Sequence, residues 1–433
     1  MDPLIQIAVV FAGFLVLLAA GMAIPLAILV PGVVYLLLQG GLPALKGLGL
    51  VSWGSMSSFT LTAIPLFILM AEILQRSGLS QRVYRGLSGL VAPLPGGLLQ
   101  TNVAGCAVFA AINGSSVATA VTIGKVALPQ LLKRGYSPAL SAGSLAAGGT
   151  LGILIPPSLA MIVYGAFTET SVAKLFMAGV VPGVVLTALF MAYIAVHALL
   201  RPQDAPRERG FRSVAEAARG VIDLLPFVVL IAGILGGLYT GLVTPTEAAA
   251  LGCLLSIVVS MIWGDLNWKI FRDSLRYSIP VIGNILFIIY AAYVFSYAIS
   301  LGGIGARLTA FIVGLGLNKY EFFLALFLLY TVLGCLVESF GMIVLTVPLL
   351  NPVLHSYGID PIWFGIILVL FIELGQISPP IGINLFVIQS IWKGKLCDVI
   401  LGTIPFHLLM FVLLGLLVFF PELALWLPAH MSG

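Results

Sequence analysis

Charge is what this sequence has least of. Asp, Glu, Lys and Arg make up only 8% of its 433 residues, against about 25% in soluble domains. That is too little to cover a surface facing water, so a soluble globular fold is excluded. Cysteine is scarce as well. Cys106, Cys253, Cys335 and Cys397 lie far apart with no Cys-x-x-Cys pair, which argues against a zinc site or a disulfide framework. No Gly-x-x-x-x-Gly-Lys-Ser/Thr loop occurs, so direct use of ATP is not expected. His197, His355, His407 and His430 have no matching acidic or nucleophilic neighbours along the chain. A membrane-embedded enzyme would need Asp, Glu or His clustered at one membrane face. No such cluster is found, and the chain reads as a non-enzyme. The first apolar segment has neither a basic flank nor a small-residue cleavage site, so it reads as a mature helix and not a secretion signal.

Apolar residues fill the space left by charge. They make up 61% of the chain, with a mean hydropathy of +1.16. Apolar runs of about 17–25 residues, the length of a membrane-spanning helix, recur from Leu4 to Leu427. The reading is an all-α polytopic membrane protein. Uninterrupted spans are expected near 4–20, 22–38, 60–77, 173–200, 221–240, 246–263, 279–300 and 402–420. Two apolar pairs are interrupted by small or polar residues: 97–112 with 116–132 at "NGSS", and 320–337 with 341–356 near "ESFG". Two longer runs, 138–168 and 361–391, are broken by Pro156-Pro157 and Pro379-Pro380. "QRVYRGLSGL", "NWKIFRDSLRY" and 303–317 read as amphipathic or interfacial stretches, and the polar run 201–220 as a solvated loop.

The two breaks are one feature repeated. At a fixed shift of 223 residues, Pro129 meets Pro352, Gly135 meets Gly358, Pro138 meets Pro361 and Gly152 meets Gly375. Pro156-Pro157 meets Pro379-Pro380, Gly179 meets Gly402 and Pro182 meets Pro405. Orientation follows from the basic residues. If 201–220 is cytoplasmic and the interrupted pairs are re-entrant hairpins that do not cross, fifteen Lys and Arg fall inside and four outside, a strong positive-inside bias. The inner set includes Lys133, Arg134, Lys393, Lys395 and the loop residues Arg201, Arg207, Arg209, Arg212 and Arg219; the outer set is Lys46, Lys174, Arg307 and Lys319. Both termini are then outside. Lys133 and Arg134 precede the first broken span, whereas Lys393 and Lys395 follow the second. The repeats are therefore inverted. Paired, inverted, interrupted helices point to the binding site of a secondary transporter.

The chemistry of a break suits that role. Proline frees carbonyls one turn earlier, and such groups need partners at membrane depth. A cation can take those oxygens, while half-helix N-termini favour a carboxylate. A plain proline kink satisfied by neighbouring helices is the simpler alternative. The first hairpin tip offers Asn113, Gly114, Ser115, Ser116 and Thr119. The second offers Glu338, and Glu373 lies just before the second break. Carboxyls are expensive in lipid, so both are expected to face the interior as cation ligands, as their supporting partners, or as neutral structural groups. Glu247 reads as a first-turn residue that complements its helix dipole.

At these residues a family resemblance becomes visible. "AINGSSVATAVTIGKVALPQLLKRGYSPALSAGSLAAGGTLGILIPPSLAMIVYG", "GLVTPTEAAALG" and "ELGQISPPIGINLFVI" resemble blocks of the large membrane subunit of TRAP transporters, the tripartite ATP-independent periplasmic family. The likeness covers nearly the whole chain. It implies an inverted-repeat, elevator-type transporter with two re-entrant helical hairpins and two broken transmembrane helices. It implies residence in the bacterial inner membrane, with both termini periplasmic and 201–220 cytoplasmic. It implies Na⁺ as coupling ion, an organic acid as substrate, a small four-helix membrane subunit expected as a separate chain, and a soluble periplasmic substrate-binding protein; no nucleic acid partner is implied. Scaffold helices are expected over 1–77 and 173–300, transport repeats over 78–172 and 301–395, and a C-terminal helix over 396–433.

On this reading Na⁺ sits where each tip meets its own break. The first site would use Asn113, Gly114, Ser115, Ser116, Gly149, Thr150, Gly152 and Pro156. The second would use Glu338, Ser339, Gly341, Glu373, Gly375, Ser378 and Pro379. Substrate would lie between the tips, near Ser115, Ser116, Pro157, Ser158, Gln376, Pro380 and Asn384. Two positions depart from the family pattern. Glu338-Ser339 stands where Asp-Thr is expected, and Gln376 where an apolar residue is expected. A stand-alone Na⁺- or H⁺-coupled carboxylate carrier of the same architecture is the alternative; a channel suits inverted broken hairpins less well.

Overall fold

Proline, glycine and small polar caps set the helix ends. A computed structural model describes residues 3–208, 211 and 213–431 and contains no strand among them. Arg209 and Arg212 of the charge argument lie outside the described residues. The helices are α1 Pro3–Ala19, α2 Ile24–Ala44, α3 Leu48–Met56, α4 Ala63–Arg76, α5 Leu79–Val91, α6 Leu98–Asn113, α7 Ser116–Lys133, α8 Pro138–Leu154, α9 Leu159–Thr168 and α10 Val172–Leu200. They continue as α11 Val214–Tyr239, α12 Pro245–Ile262, α13 Trp268–Leu301, α14 Ile304–Gly314, α15 Lys319–Gly334, α16 Ser339–Ser356, α17 Pro361–Ile377, α18 Ile383–Trp392, α19 Leu396–Phe419 and α20 Glu422–Ala429.

The 223-residue shift is present in the helices themselves. It carries Ser116–Lys133 onto Ser339–Ser356, and Pro138–Leu154 onto Pro361–Ile377. Gly135 and Gly358 both hold positive φ, +78° and +61°, which glycine adopts without steric cost. The caps that follow also correspond. Ser137 accepts from Leu140 N–H at 3.5 Å, and Asp360 accepts from Trp363 N–H at 2.8 Å, each with proline at the first helical position. Both Pro-Pro peptide bonds are cis.

Eight helical runs among the described residues are long and apolar enough to cross a membrane. Ser339–Ser356 is one of them, although the sequence reading made it a hairpin arm. At 18 residues it is near the lower limit for a span, and two-thirds of it is buried within the protein. α17 and α18 fall short singly because Pro379-Pro380 divides them.

Burial is concentrated in the broken helices. Every residue of α8 from Leu140 to Leu154 is buried, as is every residue of α17 from Trp363 to Ile377. α6, α7, α10, α17 and α19 pack on α8, while α2, α4, α11, α12 and α13 form a second packed group. α8 and α19 cross through Gly143 and Gly402, where a Cβ on either would fall on the other helix's backbone. Small residues give membrane helices this close approach. Gly143→Ala is expected to cost about 1–3 kcal/mol through overpacking. A lower apparent unfolding temperature in detergent would show it; an unchanged one would remove this crossing as a stabilising contact.

Three expectations need correction. "NWKIFRDSLRY" is no separate stretch: it opens the 34-residue α13, capped by Asn267, whose Oδ1 accepts from Ile270 N–H at 3.0 Å. At 1.5 Å per residue that helix is about 51 Å long, so its charged first turns extend beyond a hydrocarbon core of about 30 Å. The run 201–220 is not simply a solvated loop. α11 begins at Val214 inside it, capped by Ser213, and Glu208 pairs with Arg134 at 2.8 Å. Sequence proximity also misled on the histidines: His197 Nε2 lies 3.0 Å from Asp204 Oδ2 and His407 Nε2 lies 3.0 Å from Ser378 Oγ. α3 and α20 were not anticipated.

Candidate functional site: two hairpin tips against two helix breaks

α6 and α7 pack as a hairpin whose tip is Gly114-Ser115. Gly114 has φ +60° and its N–H closes α6 on Ala110 O. Its carbonyl accepts from Leu159 N–H at 3.3 Å, so the tip is bonded directly to the second half of the broken helix. Ser115 is extended, and its Oγ caps α7 by accepting from Ala118 N–H at 3.5 Å. Glycines on α8 make room for this seat. A Cβ on Gly152 would fall on Ser115 O and stand 2.7 Å from Thr119 Oγ1; one on Gly149 would stand 2.7 Å from Ala120 Cβ. Beyond the break, Ser158 Oγ caps α9 by accepting from Met161 N–H at 3.4 Å. Two helix N-termini and two C-termini thus meet in one place, offering donors and carbonyls side by side.

The second tip repeats the plan with different side chains. A Cβ on Gly375 would stand 2.8 Å from Gly334 Cα, so hairpin and break touch backbone to backbone. Cys335 Sγ donates toward the carbonyls of Ser378 and Pro379, 3.7 Å from each. Gln376 Nε2 donates to Ser339 Oγ. Ser378 Oγ donates to Leu374 O at 2.7 Å and faces His407.

A side-chain hydrogen bond joins the first tip to the second repeat: Asn384 Nδ2, on α18, donates to Ser116 Oγ, on α7. Ser116 and Ser339 are equivalent under the 223-residue shift. Each receives a carboxamide N–H, and both carboxamides come from the second repeat. Their equivalents, Ile153 and Met161, are apolar.

The structure brings together Gly114, Ser115, Ser116, Gly149, Gly152, Pro157 and Asn384, and separately Ser339, Gly375, Gln376, Ser378 and Pro379. Thr150 bonds back to Ala147 O at 2.6 Å, Pro156 lies 3.5 Å from where a Gly179 Cβ would stand, and Gly341 packs against Val337 and Ile24. Pro380 is exposed. Glu338 is half-buried at the N-cap of α16 and makes no side-chain cap bond. Glu373 is fully buried. Gly334, Cys335 and His407 were missed. His407 carried a legible signal, an ionisable residue in an apolar helix; Gly334 and Cys335 carried none, being small residues in an apolar run.

Among the described residues, eleven buried side-chain polar atoms lack a hydrogen-bond partner, and six of them belong to this region: Asn113 Nδ2, Thr119 Oγ1, both Glu373 oxygens, Gln376 Oε1 and Asn384 Oδ1. Leaving such an atom unpaired costs about 1–3 kcal/mol, and these six lie on the two tips, the second break and the helix ends adjoining them. Five of the six are oxygens, the donor type hard cations take. No group of three His, Cys, Asp or Glu among the described residues could hold a transition metal.

Comparison with known proteins agrees with this architecture. Residues 11–423 match the family described as "Tripartite ATP-independent periplasmic transporter, DctM component". The chain is 34% identical over 387 residues to the C4-dicarboxylate TRAP transporter large permease protein DctM of Pseudomonas aeruginosa, covering 89% of this chain and 90% of that one. It is 31% identical to the ectoine TRAP transporter large permease protein TeaC of Halomonas elongata, covering 95% and 96%. The crystal structure of the Alcanivorax borkumensis YdaH transporter, described as having an unusual topology, shares the fold with a TM-score of 0.66 at 16% identity, covering 95% of this chain and 99% of that one. These relatives are transporter permeases and not enzymes. The chain belongs to the DctM family: it is a multi-pass membrane protein, the large permease component of a TRAP transporter.

Proposed function

We propose that this chain carries out Na⁺-coupled uptake of an organic acid handed to it by a periplasmic binding protein, working with a small membrane subunit in the bacterial inner membrane. The observation that carries the reading is the set of six unpartnered buried polar atoms where two hairpin tips meet two helix breaks. Na⁺ is a co-substrate here. The first site draws on the carbonyls and hydroxyls of Asn113–Ser116 and Gly149–Pro156, the second on Glu338–Gly341 and Glu373–Pro379. Substrate lies between the tips, where Ser116, Ser339, Gln376 and Asn384 supply hydrogen bonds and the N-termini of α7 and α9 favour a carboxylate.

The helices that pack on α8 and α17 move as one body against the group around α13, in an elevator motion, with α10 and α19 travelling with the broken helices. The inverted orientation, with both termini periplasmic, follows from the positive-inside bias. Each Na⁺ entering down an inside-negative potential of 100 mV supplies about 2.3 kcal/mol before its concentration gradient, so two ions drive accumulation without ATP.

The test is uptake into proteoliposomes containing this chain and its small subunit, under an inward Na⁺ gradient, against a panel of organic acids. Uptake that needs both Na⁺ and the binding protein is expected. Uptake with Na⁺ alone would favour a stand-alone carrier, and uptake indifferent to Na⁺ would overturn the coupling. Ser115→Ala and Ser339→Ala are each expected to raise the Na⁺ concentration for half-maximal uptake, by about fivefold or more for one lost ligand bond. An unchanged Na⁺ dependence in both would remove the ions from the tips.

A further inference from the structure

The polar run after α10 is tied down at two places. Its first half clasps the cytoplasmic base of the first hairpin. Leu98 N–H, at the start of α6, donates to Tyr136 Oη at 3.1 Å, and Tyr136 donates to Pro206 O at 3.0 Å. Ser137 N–H donates to Asp204 O at 2.9 Å. Arg134 pairs with Glu208 at 2.8 Å, and Asp204 holds His197 at the end of α10 at 3.0 Å. Burial pushes the Tyr136 hydroxyl up to about 12, so it remains a donor at physiological pH. These bonds join the start of α6, the α7–α8 turn and the end of α10 into one unit.

The second half is fixed elsewhere. Phe211 seats its ring on Gly89 of α5 and Gly220 of α11, and a Cβ on either glycine would overlap it. α5 and α11 pack closely there, since a Cβ on Gly86 would stand 2.6 Å from Gly220 O. α11 in turn packs on α12, in the group around α13. From Glu208 to Phe211 the chain spans three Cα–Cα steps, at most about 11 Å. One clasp thus belongs to the hairpin body, and the other reaches α11, in the group it moves against, beside α5, which also packs on α6; very little chain separates the two.

We propose that residues 201–208 and Phe211 are the two anchors of a strap: the 204–208 clasp stays closed throughout transport, and Phe211 leaves its glycine seat each time the hairpin body travels. This rests on the elevator reading above. The difference between the anchors decides which one opens. The first is a cross-linked set of hydrogen bonds and an ion pair drawn from four chain segments. The second is a single half-buried ring lying against two glycines that offer it no interlocking side chain. The strap therefore sets a stop on the motion and biases the resting protein toward the seated state.

The experiment uses two engineered cysteine pairs in the full chain with its small subunit, with exposed Cys397 replaced by serine. One pair, Gly220→Cys with Phe211→Cys, pins the seat on α11; removing the ring leaves room for the new side chain. The other, Arg134→Cys with Glu208→Cys, pins the clasp. Both are joined with a short reducible thiosulfonate cross-linker before Na⁺-driven uptake is measured. Pinning the seat is expected to lower uptake about tenfold or more, with recovery on dithiothreitol, while pinning the clasp leaves it within about twofold. Unchanged uptake with the seat pinned, or lost uptake with the clasp pinned, would overturn the strap. If the uncross-linked variants and the parent chain all lack Na⁺-driven uptake, it is the transport reading that fails.

Discussion

Replacing Gly114 with alanine is expected to leave the chain in the membrane but cut uptake by about 100-fold or more, the scale of loss that a 1 Å misplacement of interacting groups produces. Two effects act together. Gly114 holds φ +60°, a conformation that costs an L-residue roughly 1–2 kcal/mol. Its new Cβ would also stand 2.8 Å from Pro157 O and 3.1 Å from Leu159 N. That collision pushes the first tip off the first break and opens the Leu159 N–H to Gly114 O bond. Gly135→Ala separates the two effects. Gly135 also has positive φ, +78°, but a Cβ there meets nothing within 4 Å. It is expected to lose about 1 kcal/mol of stability and keep its uptake. Uptake normalised to membrane-inserted protein checks both. If Gly114→Ala transports normally, the seat of the tip on the break does not form the ligand site.

Gly135 also shows why the repeat could be read directly from sequence. Gly135 and Gly358 match at the fixed offset because each must turn the chain left-handed before a capped, proline-started helix. Such punctuation is local: it depends on backbone geometry within a few residues, so it survives in the sequence when side chains diverge. The apolar runs were legible for a similar reason, since lipid makes the same demand of every span. What stayed hidden depends on partners distant in sequence. Asn384 and Ser116 are 268 positions apart, and neither residue type announces the other. Phe211 is a lone aromatic in a polar run, and nothing local announces Gly89 and Gly220 beneath it. α13 was divided because charge was taken for a boundary, whereas a helix can carry its charged turns out of the membrane without ending. The carboxyls are intermediate cases. Their cost in lipid predicted that Glu338 and Glu373 face inward, and Glu373 is fully buried with both oxygens unpartnered among the described residues. Its neighbours could not be named from the sequence.

Asn384→Leu is the second substitution expected to have a large effect, and it probes the one side-chain hydrogen bond that joins α18 to the first tip. The apolar side chain keeps the volume of the site but removes the donor to Ser116 Oγ and the unpartnered oxygen beside it. Leaving Ser116 unpaired and one ligand contact missing costs about 1–3 kcal/mol each, which is about a 30-fold or greater loss of uptake at limiting substrate. A double-mutant cycle with Ser116→Ala tests whether the bond itself matters. If the two side chains act through one contact, Asn384→Leu with Ser116→Ala should be little worse than Asn384→Leu alone, because coupled partners are not additive. Strictly additive losses would mean that they serve separate ligands. Gln376→Leu is the internal comparison. It removes the corresponding bond to Ser339 at the second tip, but there the Gly334–Gly375 contact and the Cys335 bonds still hold hairpin to break. Its loss should therefore fall on substrate affinity more than on maximal rate. Asn384→Leu, which disconnects the two halves of the site, should lower both.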